Sequence, residues 1–199
     1  MTVLRRLFGA SREDLWRQLS KDIDGTYIPP TFWRGGKVQA DHGEWTITLD
    51  SYSNGKLFFT RLRAPYVNPD GFRFTVYERS IFSDIAKHLG MQDVAIGNSK
   101  FDDRYIVKGS DERKLKRLFR NARIRDLVTQ SPDIHFSVRD DDGWFAKPFP
   151  PKTDQLYLEM LGLVKDTERL RLLFDLFGET LDELCRMGSA YEGDAGAEH

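Results

Sequence analysis

The stretch from Glu44 to Arg79 leaves the chain little choice of fold, because its side chains sort into two sets with a period of two. Glu44 to Asp50 alternates: Trp45, Ile47 and Leu49 point one way, and Glu44, Thr46, Thr48 and Asp50 the other. Asn54-Gly55 is a strong hairpin signal, since a type I′ turn needs positive φ at both positions. With Ser53 paired to Lys56, Thr48 faces Arg61 and Thr46 faces Arg63. A second turn, Pro65 to Gly71, leads into Phe72 to Glu78. Symmetric pairing there sets Arg63 opposite Arg73 and Phe59 opposite Tyr77. One face then collects Trp45, Ile47, Leu49, Phe58, Leu62, Phe72, Phe74 and Val76, and must be core. The other collects Glu44, Asp50, Phe59, Arg61, Arg63, Arg73, Tyr77 and Arg79. A one-residue slip would mix the two sets, so the pattern argues for its own register.

A sheet with one oily face needs a cover, and the last quarter of the chain supplies one. From Asp166 to Met187, Leu170, Leu173, Phe174, Phe177, Leu181 and Leu184 recur in steps of three and four, the stripe of an amphipathic helix. Asp166 suits the N-cap, and Gly188 the left-handed residue past the end.

Elsewhere, Ser11 to Asp14 has the form of a capping box, followed by Leu15, Trp16, Leu19 and Ile23 on one helical face. Thr26 to Gly36, with Pro29-Pro30 and Gly35-Gly36, reads as irregular. Ile81 to Leu89 reads as a short helix, Asp93 to Gly97 and Arg104 to Lys108 as strands, and Asp111 to Ala122 as a helix with Ile124 to Val128 adding to it. Ile134 to Arg139 is a strand, turned back at Asp142-Gly143 onto Trp144 to Lys147, and Asp154 to Val164 is the last. Asp111, Leu115, Leu118 and Phe119 repeat the spacing of Asp166, Leu170, Leu173 and Phe174. That echo is either a duplicated strand–helix unit or the ordinary spacing of any capped amphipathic helix.

Thirty Lys and Arg against 31 Asp and Glu give a net charge of -1, so nothing global calls for nucleic acid or a membrane, and any such role needs local clustering. One cysteine, Cys185, excludes an internal disulfide framework. No apolar run approaches the roughly 20 residues that span a bilayer. Met1 to Phe8 is too short and too charged for a signal-peptide core, which gives the expectation of a cytoplasmic protein.

Two basic features stand out. Arg61, Arg63, Arg73 and Arg79 share one sheet face with Phe59 and Tyr77, a mixture of guanidinium and ring that single-strand nucleic-acid platforms also use. Like charges directly opposite destabilise a strand pair, so these arginines need acidic neighbours or an anionic partner. Arg113, Lys116, Arg117 and Arg120 fall on the helix side opposite Leu115, Leu118 and Phe119, as an acidic-partner surface or an ordinary exposed face would. Asp140 to Gly143 lacks the alternate carboxylates of a calcium loop. His42, His88, His135 and His199 share no metal-ligand spacing, and no nucleophile elbow, Walker loop or dinucleotide fingerprint occurs.

Thr60-Arg-Leu-Arg-Ala-Pro65, Leu89-Gly-Met-Gln-Asp93, Phe101-Asp-Asp-Arg-Tyr-Ile-Val-Lys-Gly109 and Arg169 to Phe177 together resemble a family of bacterial cytosolic proteins of unknown function. The resemblance implies a pleckstrin-homology-like core closed by a C-terminal helix, and supplies no functional residues.

The expectation is therefore an α+β fold: a mostly antiparallel sheet, helices between strands and a long C-terminal helix packed on it. An N-terminal helix and irregular segment would occupy 1–36, one domain 37–190 and a flexible tail 191–199. The leading function is a non-enzymatic binding or scaffold module with a basic surface for an acidic protein or other polyanion, without a cofactor. The rival is a metal-dependent hydrolase using acids such as Asp102 and Asp103 with a histidine.

Overall fold

A computed structural model describes residues 11–81, 93–140 and 149–191. The expected helix from Ile81 to Leu89 (beyond a 3-10 turn at Arg79–Ile81), the return strand Trp144 to Lys147, the tail after Tyr191 (which itself bridges to Val67), His88 and His199 lie outside them. The fold is α+β. Eight antiparallel strands form one sheet: β1 Thr26–Ile28, β2 Lys37–His42, β3 Trp45–Ser53, β4 Phe58–Val67, β5 Phe74–Glu78, β6 Tyr105–Gly109, β7 Ile134–Arg139 and β8 Thr153–Leu161. Their order is β1-β2-β3-β4-β8-β7-β5-β6. The α-helices among the described residues are α1 Arg12–Asp22, α2 Ser99–Arg104, α3 Glu112–Leu118, α4 Ala122–Gln130 and α5 Thr167–Arg186.

The face sorting holds but the register does not. Ser53 pairs with Phe58 across a four-residue loop, so Thr48 faces Arg63 and Asp50 faces Arg61. Asn54 closes the loop with its own side chain, whose Oδ1 accepts from Lys56 N (3.1 Å) and Leu57 N (2.9 Å). The shift is two residues, and an even shift leaves every side chain on its face. Phe58 is the exception in outcome: its parity is that of the core, but it opens β4 at the sheet's end and stays exposed.

The expected β4–β5 meander is absent. β4 pairs with β8 from Phe59–Leu161 to Val67–Thr153, and β5 lies between β7 and β6. Arg63 therefore faces Tyr157, not Arg73, and Tyr77 faces His135, not Phe59. β8 brings Leu156, Leu158 and Met160 to the core and offers β4 nine residue pairs, more than a short β5 could. Pro65, expected to end the strand, lies inside it, beyond Thr48–Arg63, the last β3–β4 pair, so a missing N–H breaks no ladder on that side. Asp93 to Gly97 is not a strand. It makes one bridge, Asp93 to Lys108, and is then bent into α2. β1 and β2, between Gly25 and Gly43, have no counterpart in the expected element list, although Val38 and Ala40 alternate inward.

One core fills the space between the sheet and its helices, including Trp16 and Leu19 of α1, Leu115 and Leu118 of α3, Ile124 and Leu127 of α4, and the α5 stripe. Asp166 caps α5 by accepting from Arg169 N (3.1 Å), and Gly188 has φ 74°. Gly178 lets α5 approach β2 closely, since a Cβ there would come within 2.8 Å of the His42 ring. The single helix expected after Asp111 breaks at Asn121. Its Oδ1 accepts from Arg123 N (2.9 Å) and starts α4, and its Nδ2 donates to Glu179 of α5 (2.7 Å). Asn121→Ala should cost about 1 kcal/mol and lower the melting temperature by roughly 3 °C, read by thermal unfolding.

Candidate binding surface

The sheet face turned away from the core carries two rows of polar side chains. One runs Asp50, Arg61, Glu159, His135, Tyr77 across five neighbouring strands. The next runs Thr48, Arg63, Tyr157, Ser137, Thr75, Lys108. Much of this face is buried: Arg63 is 7% exposed, and Thr48, Thr75, Ser137 and Tyr157 less. Buried polar groups must bond to one another or cost free energy, and most of these do.

Two carboxylates organise the web. Asp50 accepts from Arg61 Nε and Nη2 (both 2.8 Å) and from Arg63 Nη2 (2.7 Å). Burial pushes the Asp50 carboxyl up, but the two guanidinium groups outweigh it and hold it below the usual carboxylate range. Glu159 accepts from Tyr157 Oη (2.7 Å) and Tyr52 Oη (2.8 Å), and Arg139 lies 3.7 Å away. Here too burial opposes and the donors prevail, so the carboxyl is lowered. Burial, then the Glu159 charge, raises the Tyr52 hydroxyl to about 12. The Arg139 guanidinium lies 3.7 Å from the centroid of the Tyr157 ring, and Arg61 stacks on Tyr52 at 5.0 Å.

His135 sits inside this web. Burial and then Arg139 lower its pKa to about 4, against Glu159, so the ring is neutral near pH 7. Arg139 Nη2 lies 3.0 Å from Nδ1 and can only donate, which assigns the ring proton to Nε2. His135 Nε2 and its neighbour Tyr77 Oη are buried without a hydrogen-bond partner among the described residues.

The other sheet arginines lie elsewhere. Arg73, just before β5, donates to both oxygens of Asp154 (3.0 Å each) and to Asp140 (2.7 Å). It lines a groove of about 360 Å³ with Asn68, Pro69, Phe149, Pro150 and Lys152. Arg79, after β5, donates to the Asp102 carbonyl (3.1 and 3.2 Å). The structure thus brings Arg61 and Arg63 together over one carboxylate and separates Arg73 and Arg79 from them.

On α3 the basic stripe is intact. Arg113, Lys116 and Arg117 on α3 and Arg120 in the turn just after it are all exposed, while Leu115, Leu118 and Phe119 face the core. Lys116 pairs with Glu112 (2.6 Å), and Arg117 donates to the Arg186 carbonyl at the end of α5 (2.9 Å). Arg113 and Arg120 have no carboxylate partner among the described residues. Lys114, on the inner edge, is drawn to Asp70 and Ser189.

The acids of the hydrolase reading have another task. Asp102 accepts from the backbone N–H groups of Ile96, Gly97 and Asn98 (2.9 to 3.1 Å), which folds the loop into α2. Asp103 is exposed, and no three His, Cys, Asp or Glu side chains among the described residues are grouped to hold a metal ion.

Sequence reasoning missed Tyr157, Glu159, His135 and Arg139. The available signal was the alternation of Tyr157 with Leu156 and Leu158, and of His135 and Ser137 with Phe136.

No protein-family model matches the chain, and no curated protein does. Among solved structures, the crystal structure of the mycobacterial trehalose monomycolate transport factor A, TtfA, is similar, with a TM-score of 0.57 and 8% identity over 87% of this chain and 94% of that one. The likeness is one of fold. The two sequences are almost unrelated.

Proposed function

We propose that this protein is a non-enzymatic binding module and that the α3 face takes an acidic protein partner. The observation that carries the reading is the stripe Arg113, Lys116, Arg117, Arg120, exposed on α3 and the turn that ends it, with core on the other side. The contrast with the sheet face supports it: Arg61, Arg63 and Arg73 are bound to carboxylates, whereas Arg113 and Arg120 have none among the described residues. Clustered exposed cations steer and hold acidic surfaces, and that attraction is screened by salt. Arg61, Arg63, Tyr77, Arg73 and Arg79 then shape and stiffen the platform behind the helix. The solved neighbour is named a transport factor, not an enzyme, which agrees with a non-catalytic reading.

The test is fluorescence anisotropy with a labelled polyglutamate peptide over a salt series. Binding should weaken as salt rises, and Arg113→Glu with Arg120→Glu should weaken it by about tenfold or more. Binding insensitive to salt and to that pair of changes removes the proposal. A labelled single-stranded oligonucleotide in parallel distinguishes an acidic protein from nucleic acid.

A further inference from the structure

The end of the sheet where β3 turns into β4 gathers exposed apolar side chains from three separate stretches of chain. Phe32 and Trp33 are 88% and 87% exposed. They are held there by a closed turn: Thr31 N donates to the Arg34 carbonyl (2.8 Å), and Arg34 N to Thr31 Oγ1 (3.2 Å), with the two aromatic residues at its centre. Their rings meet edge to face, centroids 4.7 Å apart. The turn precedes β2, and Gly35 lies beside the Ser51 carbonyl near the end of β3. Leu57 and Phe58 are exposed at the adjoining hairpin tip. Leu161, 63% exposed, ends β8 opposite Phe59, and Gly162 N donates to the Phe58 carbonyl (2.7 Å). Single exposed apolar side chains are ordinary; five at one end of a sheet are not.

Basic residues lead in the segments that carry these side chains: 31–37, 53–58 and 161–165 contain Arg34, Lys37, Lys56 and Lys165 and no Asp or Glu, and the next acid, Asp166, is taken up as the α5 N-cap. At such exposure Phe32 and Trp33 project outward instead of lining a recess that could enclose a peptide. A protruding Trp–Phe pair with cations in the same and the adjoining segments matches a layer that is anionic at its surface and apolar just beneath. Trp favours that boundary because its ring is apolar and its N–H can reach water or headgroup oxygens.

We propose that this end of the sheet docks the protein onto a bilayer rich in anionic phospholipid, with Phe32 and Trp33 entering the headgroup–acyl boundary. Attachment is peripheral. No helix among the described residues is long and apolar enough to cross a membrane.

The experiment is co-sedimentation of the full chain with vesicles of phosphatidylcholine containing one third phosphatidylglycerol, and with phosphatidylcholine alone. Binding is expected to the mixed vesicles, to fall with salt, and to weaken by about tenfold or more in Phe32→Ala with Trp33→Ala. Both side chains are solvent-facing, so the melting temperature of that variant should match the parent. Lys56→Glu should weaken binding without touching an aromatic ring. The α3 variant Arg113→Glu with Arg120→Glu should still bind, which separates this surface from the one proposed above. The inference is overturned by no binding to mixed vesicles, by full binding of the Phe32 and Trp33 variant, or by loss of binding in the α3 variant alone. Self-association without vesicles that disappears in the Phe32 and Trp33 variant would also overturn it, by assigning the patch to a second copy of the chain.

Discussion

Asp50→Ala is expected to destabilise the fold by about 3 to 5 kcal/mol, the usual cost of removing one member of a buried ion pair. The Arg61 and Arg63 side chains are 17% and 9% exposed, and both donate to this one carboxylate. Without it, both guanidinium groups lose a shared charge partner on a half-dry sheet face, where electrostatic interactions are poorly screened. Denaturant unfolding reads the effect as a lower midpoint with an unchanged slope. Adding Arg63→Met should recover about half of the loss, because a buried pair replaced by apolar bulk is often neutral. A loss below about 1 kcal/mol would mean that the pair is solvated and that the web does not hold the sheet together.

His135 should make stability fall on the acid side before the carboxylates do. Its ordinary pKa is 6.5 and burial lowers it to about 4, so the unfolded chain takes up the proton first. The neutral ring's contribution is whole above pH 6.5, declines as pH falls, and is gone below about 4. A tenfold change in proton affinity is about 1.4 kcal/mol, so the full loss is roughly 3 kcal/mol. Asp50 and Glu159 are also lowered, from 3.8 and 4.5, so their contributions are present above those values and fade only beneath them. The two windows are therefore separable. Unfolding free energies between pH 7 and 4.5 should decline in the parent and stay nearly level in His135→Gln. Parallel curves would show that His135 is hydrated in the native state.

What could be read from the chain was whatever local chemistry decides. Asp166, Asp111 and Ser11 cap helices where the capping signals stand, because a cap needs only its own turn. The inward set Trp45, Ile47, Leu49, Leu62, Phe74 and Val76 is correct because side-chain period survives an even shift of register. The neighbours of β4 were not legible. Pairing β4 with β8 joins residues about a hundred positions apart, and no turn motif records that choice. The same gap explains why Arg63 was set against Arg73 when its partners are Asp50 and Tyr157. Asp102 looked available for chemistry because a carboxylate and a loop cap are the same residue until the loop is seen. Phe32 and Trp33 raised no expectation, since two aromatic residues between a Pro pair and a Gly pair follow neither helical nor strand periodicity.

The length of α5 has a geometric consequence. Its twenty residues at a helical rise of 1.5 Å per residue make a strut of about 30 Å. It starts just after the β8 exit, where Val164 N is tied to Thr60 Oγ1, and finishes where the Arg186 carbonyl receives Arg117. The aromatic tip and the α3 cations are thus held at opposite poles by a single stiff rod, so a molecule seated at one pole leaves the other unobstructed. Under the two proposals above, the chain has the dimensions of a spacer: a partner bound at α3 would sit about one bilayer-core thickness from a surface met by the tip.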